Sequence, residues 1–236
     1  MRFVVGIDEV GRAASKRRAS PNYIIGIDEV GRGALAGPVV VAAVAVPRGL
    51  RIMNYEFGKL KDSKKLTPKR REKWFDFFRA HLKIDYAVAR VYPRAIEKMN
   101  ISKAANLAAL RAFRRLVSSI KCQVSSYDVF LDGGLFLGNN VNIRENPRKN
   151  PRLSARTTVK TVVRGDEKIK AISAASIVAK VSRDKGMCHL AKKYPQYGFE
   201  IHKGYGTKKH FAAIRKHGPS EVHRLTFLRN AIQSRK

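Results

Sequence analysis

The stretch YIIGIDEVGRGALAGP (residues 23–38) governs how the rest of the chain is read. Tyr23 to Ile27 is an apolar run of β type. Two adjacent carboxylates, Asp28 and Glu29, follow it, and Gly31 and Gly33 then form a tight turn. Beyond Pro38, Val39 to Val46 is β-branched and alanine-rich and predicts a buried strand that ends at Pro47 and Gly49. Two strands joined by a glycine-rich connection predict an antiparallel pair at the heart of a sheet. The chain carries much of this signature twice, since residues 3–12 read FVVGIDEVGR and residues 23–32 read YIIGIDEVGR.

Further along, Thr67 followed by Pro68 is a helix start, a hydroxyl cap with proline at the first helical position. That helix is expected to run to about His81 on an apolar face of Trp74, Phe75 and Phe78. Ile84 to Val91 predicts a strand. Ser102 to Ile120 predicts a long helix with Leu107, Leu110, Phe113 and Val117 on its buried face. Further strands are expected at 128–132 and 159–163, and a helix from Ile172 to about Tyr194. The last forty residues hold a Gly-Tyr-Gly turn and one or two basic helices. Strands and helices alternate, so the fold class is α/β, a mixed sheet with helices packed on it. Residues 13–22 read as a linker, and 139–156, rich in Asn, Pro and Arg, as a mobile loop.

The 236 residues carry 49 Lys and Arg against 18 Asp and Glu, a formal net charge of +31. That excess points to a polyanionic partner, nucleic acid first. Two distant cysteines, Cys122 and Cys188, suggest a reducing compartment, ordinary buried thiols and no zinc site. No secretory leader is evident, and the longest apolar run is too short to span a bilayer. An intracellular, cytoplasmic protein without membrane contact is therefore expected.

Four acids share one context. Asp28 and Glu29 sit between a strand and a glycine turn, Asp132 ends a strand before Gly133 and Gly134, and Asp166 follows a strand and Gly165. Acids at strand ends can converge at one sheet edge, and a carboxylate cluster is tolerated chiefly around a cation. Oxygen-only ligands select a hard ion, Mg²⁺ or Mn²⁺. Adjacent strand residues point to opposite faces, so Asp28 and Glu29 share a site only if the strand ends or twists between them. Gly31-Arg32-Gly33 can bring backbone N–H groups to a phosphate or a ribose hydroxyl. Ser173, Ser176, Lys180 and Asp184 fall on one helix face, either a site-facing stripe or a solvated one. Tyr205, between two glycines and among cations, suits stacking on a sugar or base, or is a core tyrosine in a capping turn.

Together these residues resemble the type 2 ribonuclease H family, ribonuclease HII, from about Tyr23 to Phe227. The most specific segment is GIDEVGRGALAGPVV (26–40). It is supported by Lys61-Asp62-Ser63-Lys64-Lys65-Leu66, Asn100-Ile101, Asp132-Gly133, Gly165-Asp166, ISAASIVAKVSRD (172–184), Tyr194-Pro195, Tyr197-Gly198-Phe199, HKGYGT (202–207) and His223-Arg224. The resemblance implies an RNase H-like mixed sheet flanked by helices (22–195) and a small C-terminal helical subdomain (196–236) that binds substrate; residues 1–21 are then an N-terminal extension carrying a partial repeat of the first motif.

It also implies endonucleolytic cleavage of RNA in RNA–DNA hybrids and 5′ of single ribonucleotides in duplex DNA, leaving 5′-phosphate and 3′-hydroxyl. Asp28, Glu29, Asp132 and Asp166 would hold two Mn²⁺ or Mg²⁺ ions. Gly31, Arg32 and Gly33 would contact the ribose 2′-hydroxyl, and Tyr205 would stack on the following deoxyribose. Lys64, Ser173, Ser176, Lys180 and Asp184 are supporting candidates. A monomer is expected. A non-catalytic nucleic-acid-binding protein on the same fold is the alternative, and the four intact acids argue against it. The tail from Ala231 to Lys236 shows no aromatic sliding-clamp motif.

The chain departs from the family pattern in the long basic stretch at 139–156 and in the N-terminal repeat. Only the second copy continues through Gly33 into LAGPVV. Asp28 and Glu29, and not Asp8 and Glu9, are therefore expected to be the working pair.

Overall fold

A computed structural model of the chain describes residues 23–50, 52, 60, 66–120, 127–138 and 158–233. The repeat at Asp8 and Glu9, Lys64, Cys122 and the stretch 139–156 lie outside these residues.

Five strands form one mixed sheet: β1 (Tyr23–Val30), β2 (Val39–Pro47), β3 (Asp85–Val91), β4 (Tyr127–Asp132) and β5 (Thr158–Val162), in the order β3-β2-β1-β4-β5. The expected antiparallel pair is β1 with β2, in register from Tyr23–Pro47 to Val30–Val40. β3 joins β2 antiparallel, whereas β4 runs parallel to β1 and β5 parallel to β4.

β2 explains why its sequence is apolar on both phases. Val39, Val41, Ala43 and Ala45 enter one core with Ile25, Ile27, Val129 and Leu131, while Ala42, Val44 and Val46 enter the core on the other face. A central strand covered on both sides has no polar phase. Helices α2 (Pro93–Met99) and α3 (Ile101–Ile120) cover the first face, and α1 (Pro68–Ala80) covers the second together with the 24-residue α5 (Lys170–Lys193). Thr67 caps α1 as expected, its hydroxyl accepting from Arg70 N–H, and Trp74 and Phe78 are its buried residues.

Two expectations are corrected. Pro93–Met99 forms a helix that the sequence reading left out. The buried face of α3 is also different, made of Ala104, Ala105, Ala108, Ala109, Ala112, Phe113, Leu116 and Ile120. Leu107, Leu110 and Val117 are only half-buried. Alanines allow α3 to lie close on β2 and β3, so the face is chosen by closeness of approach rather than by side-chain size.

After the short helix α4 (Gly165–Lys168), α5 links two cores. Its first half packs on the sheet, while Met187 and Ala191 join Tyr197, Phe199, Phe211, Ile214 and Leu228 in a third cluster. That cluster holds α6 (Phe199–His202), α7 (Lys208–His217) and α8 (Leu225–Gln233), and it also takes in Leu35 and Ala36 from the glycine-rich connection. Backbone bonds fasten the two parts: Leu35 and Ala36 N–H donate to Gly204 O, Gly37 N–H to Val222 O and Arg224 N–H to Leu35 O. Among the described residues, no helix is long and apolar enough to cross a membrane.

Candidate active site

β1 supplies two acids. Asp28 accepts from its neighbour's backbone N–H at 2.7 Å and from the Ser176 hydroxyl of α5. Glu29 Oε1 lies 3.5 Å from Arg32 Nη1. Arg32 also reaches the Ser102 hydroxyl at 3.3 Å and the Gly134 carbonyl at 3.4 Å.

The two acids were expected to share a site only if the strand ended or twisted between them; it does not end there, since β1 stays paired with β2 through Val30. Its pairing with β4 ends instead, at Ile27–Leu131. Where β1 has lost β4, a cavity of about 350 Å³ opens, lined by Asp28, Glu29, Val30, Arg71, Asp132, Ser176 and Lys180.

Asp132 is the last residue of β4 and accepts from Gly165 N–H at 2.7 Å. Asp166 follows that glycine. It is buried in the first turn of α4 and does not border the cavity. Three of the four acids therefore surround one space, and the fourth lies one residue past a group that Asp132 holds.

The polar stripe of α5 is divided. Ser173 is fully buried and donates to the Asp166 and Ile169 carbonyls, so it braces α4. Ser176 and Lys180 face the cavity, and Asp184 pairs with Lys180 at 3.0 Å.

Among the described residues, no three acids, histidines or cysteines stand, as arranged, close enough to hold one ion. The donor chemistry nonetheless suits a hard divalent cation. Every candidate ligand atom is a carboxylate oxygen, and Glu29 Oε2 is buried with no hydrogen-bond partner among the described residues. Burial first, and then the charge of Glu29, hold Asp28 well above the usual carboxylate range. Burial pushes Glu29 up to about 7; Arg32 opposes this rise and Asp132 adds to it. A cation would relieve both the burial cost and the repulsion.

The glycine turn rests on two buried arginines to which the sequence reading gave no role. Arg183 donates to the carbonyls of Pro38 (3.1 Å), Ala36 (3.1 Å) and Lys203 (2.8 Å). Arg224 donates to those of Gly37 (3.1 and 2.9 Å) and Arg32 (2.8 Å). Both stand in segments that carry the resemblance, 172–184 and His223-Arg224, yet their role was not legible, because sequence does not separate a buried guanidinium from a solvated one. Arg71, which the sequence did not single out, lines the cavity and donates to the Leu66 carbonyl. Cys188, expected to be buried, is half-buried with Lys203 Nζ at 3.2 Å from its sulfur.

Tyr205 is half-buried, with Lys180 Nζ 5.8 Å and Arg183 Cζ 5.2 Å from its ring centroid. A line of imidazoles holds its backbone. Ser220 N–H donates to His223 Nδ1 (2.9 Å), the two Nε2 atoms of His223 and His210 are 3.1 Å apart, and His210 Nδ1 lies 3.0 Å from the Tyr205 carbonyl. One proton assignment satisfies every bond: His223 carries hydrogen on Nε2 and His210 on Nδ1, both rings neutral.

Burial pushes His210 and His223 down to about 4. These folded values lie below the ordinary histidine range. The two rings therefore contribute stability in full above about pH 6.5, and it is lost as pH falls toward about 4. Imidazole NMR signals of both are expected to stay those of neutral rings between about pH 7 and about pH 5. Protonation of either above about pH 6 would contradict this network.

The ribonuclease HII family model matches residues 25–230. Ribonuclease HII of Caldicellulosiruptor bescii is 40% identical over 231 residues, covering 98% of this chain and 89% of that protein. Ribonuclease HII of Fusobacterium nucleatum is 42% identical over 232 residues, covering 98% and 88%. Among solved structures, ribonuclease H2 from Pyrococcus horikoshii superposes with a TM-score of 0.62 at 25% identity, covering 86% of this chain and 93% of that one.

Proposed function

The chain belongs to the ribonuclease HII family and is a ribonuclease H acting on RNA–DNA hybrids; we propose that it also nicks duplex DNA on the 5′ side of single embedded ribonucleotides. The products are a 5′-phosphate and a 3′-hydroxyl. The observation that carries this reading is the setting of the cavity. Asp28, Glu29 and Asp132 surround it, and the glycine turn follows directly from the strand that supplies two of them.

Asp28, Glu29, Asp132 and Asp166 are the groups that would hold divalent ions, Mn²⁺ or Mg²⁺. Such ions supply an activated water and stabilise the leaving 3′-oxygen. For Asp166 this requires its carboxylate to reach the cavity lined by Asp132, the acid that accepts from the neighbouring Gly165 N–H. Lys180, on the cavity wall, and the flanking cations hold the scissile strand by its phosphates. The protein works as a monomer in the cytoplasm, and its C-terminal helices bind the duplex on the far side of the turn.

Sugar discrimination falls to Gly31-Arg32-Gly33. Gly31 has φ +88° and packs on Arg183, so this chain's own structure requires a glycine there. Gly33 is different: it is exposed, and a Cβ there would meet nothing within 4 Å. Close approach of a sugar from outside accounts for it, and the 2′-hydroxyl is the group that separates RNA from DNA. Tyr205 then stacks on the deoxyribose that follows.

The deciding experiment uses duplex DNA carrying one ribonucleotide, with Mn²⁺ or Mg²⁺. The expected product is a single nick immediately 5′ of that residue and none in an all-DNA control. An intact ribonucleotide duplex alongside a cut control would sink the assignment.

A further inference from the structure

Arg183 touches both parts of the site that the proposed function uses to read the sugars. It is 1% exposed, and Arg224 is 0% exposed. Among the described residues, the guanidinium hydrogen bonds of this pair all end on backbone carbonyls. Burying two cations that repel each other, with no carboxylate bonded to either, is costly. A neutral apolar pair would fill the space without that cost, so the fork geometry itself is what this position requires.

Arg224 holds only the turn. Arg183 holds the turn and the opposite wall together. Its Nε occupies the space a side chain on Gly31 would need, at 2.2 Å from the Cβ position. Its other nitrogens fix Ala36 on one side and Lys203 on the other, the latter two residues before Tyr205. Its guanidinium lies over the Tyr205 ring. One planar group thus stands between the backbone at Gly31 and the ring at Tyr205.

We propose that Arg183 is a positioning residue that sets the spacing between the glycine turn and Tyr205, and with it the enzyme's preference for a ribonucleotide followed by a deoxyribonucleotide. The proposal rests on the reading of the turn and of Tyr205 given above. The turn tests for a 2′-hydroxyl at one sugar, and Tyr205 reads the next sugar. Fixing the distance between them turns two separate contacts into recognition of a junction. A continuous RNA strand satisfies the turn without a deoxyribose at Tyr205, so it draws less on the spacing.

The test compares cleavage of a single-ribonucleotide duplex with cleavage of a continuous RNA–DNA hybrid by wild type, Arg183→Lys and Tyr205→Ala. Lysine keeps the charge but cannot bridge three carbonyls in one plane. The expected result for Arg183→Lys is a fall of at least about tenfold in the junction-to-hybrid ratio, largely in kcat, since misplacement near 1 Å is enough for such losses. A merely structural arginine would lower both rates together, and that outcome overturns the proposal. If Tyr205→Ala lowers the ratio and Arg183→Lys does not, the inference fails while the reading of Tyr205 stands. If Tyr205→Ala leaves the ratio unchanged, that reading falls and the inference with it. Should Arg183→Lys not fold, the wild-type Arg183 Nε–H resonance decides. With Ca²⁺ in place of the catalytic ion, it is expected to shift differently on binding the junction duplex and the hybrid, and identical shifts overturn the proposal.

Discussion

Asp28→Asn is expected to abolish cleavage and, without divalent ions, to raise the melting temperature. The two effects share one cause. Asp28 is 4% exposed, and its acid form is favoured by burial and by the neighbouring Glu29 and Asp132. A carboxylate whose folded value is raised weakens the fold progressively as pH climbs above its unfolded value. Asparagine removes that cost and can keep the bonds from Glu29 N–H and Ser176. Each kcal/mol recovered raises the midpoint of a chain this size by about 2–4 °C.

The same replacement removes a carboxylate oxygen that would hold the divalent ions, and losses on the order of 10³-fold follow from removing one preorganised group at such a centre. Adding Mn²⁺ should reverse the stability order, since a ligand stabilises only the state that binds it. Thermal melts at about pH 7.5 with and without Mn²⁺, read beside cleavage rates, check this. A variant that melts lower than wild type in the absence of metal would show that Asp28 is not held against its own charge.

Much of the sheet was legible because its signals are local. Val39 to Val46 is apolar on both phases, and a glycine turn before it left few ways to place β1 and β2. Thr67-Pro68 marked a helix start by its own chemistry. The site was legible as a set of acids at strand ends, and it became less so wherever distance in space decided the outcome. That β1 runs on to Val30 depends on β2 staying while β4 leaves, and no local pattern encodes this. The alanine face of α3 was missed because a helical pattern read by large residues overlooks a face chosen for close approach. Arg183 and Arg224 stand in segments that carry the resemblance, but their role follows only from the carbonyls that converge on them, those of residues 32–38 and Lys203, up to 192 positions away in sequence. Ser173 has the same periodic position as Ser176, yet its hydroxyl closes α4 while that of Ser176 reaches Asp28.

Gly26→Ala should be the most damaging single methyl in the described structure. Gly26 sits in the middle of β1, and a Cβ there would lie 2.1 Å from the Ala171 carbonyl carbon, 2.3 Å from its oxygen and 2.3 Å from Ile172 N. All three atoms are backbone of α5, so no side chain can rotate away. Either the helix lifts or the strand bends, and α5 is packed along both β1 and β2. Glycine-to-alanine normally gains about 0.4–1 kcal/mol by restricting the unfolded chain. Overpacking a rigid core costs about 1–3 kcal/mol and sometimes more, and a clash with main chain belongs at the upper end. Against total stabilities of about 5–15 kcal/mol, the protein should lose a large share of its margin, and urea unfolding should show a midpoint well below wild type. Activity should fall further than stability does, because α5 also carries Ser176 and Lys180 to the cavity. Gly33→Ala is the contrast. The added methyl there meets nothing within 4 Å, so melting should be unchanged, and any loss of cleavage must come from the incoming sugar. If Gly26→Ala folds with wild-type stability, α5 does not lie on β1 as closely as described. If Gly33→Ala cleaves normally, the turn does not meet the 2′-hydroxyl at that residue.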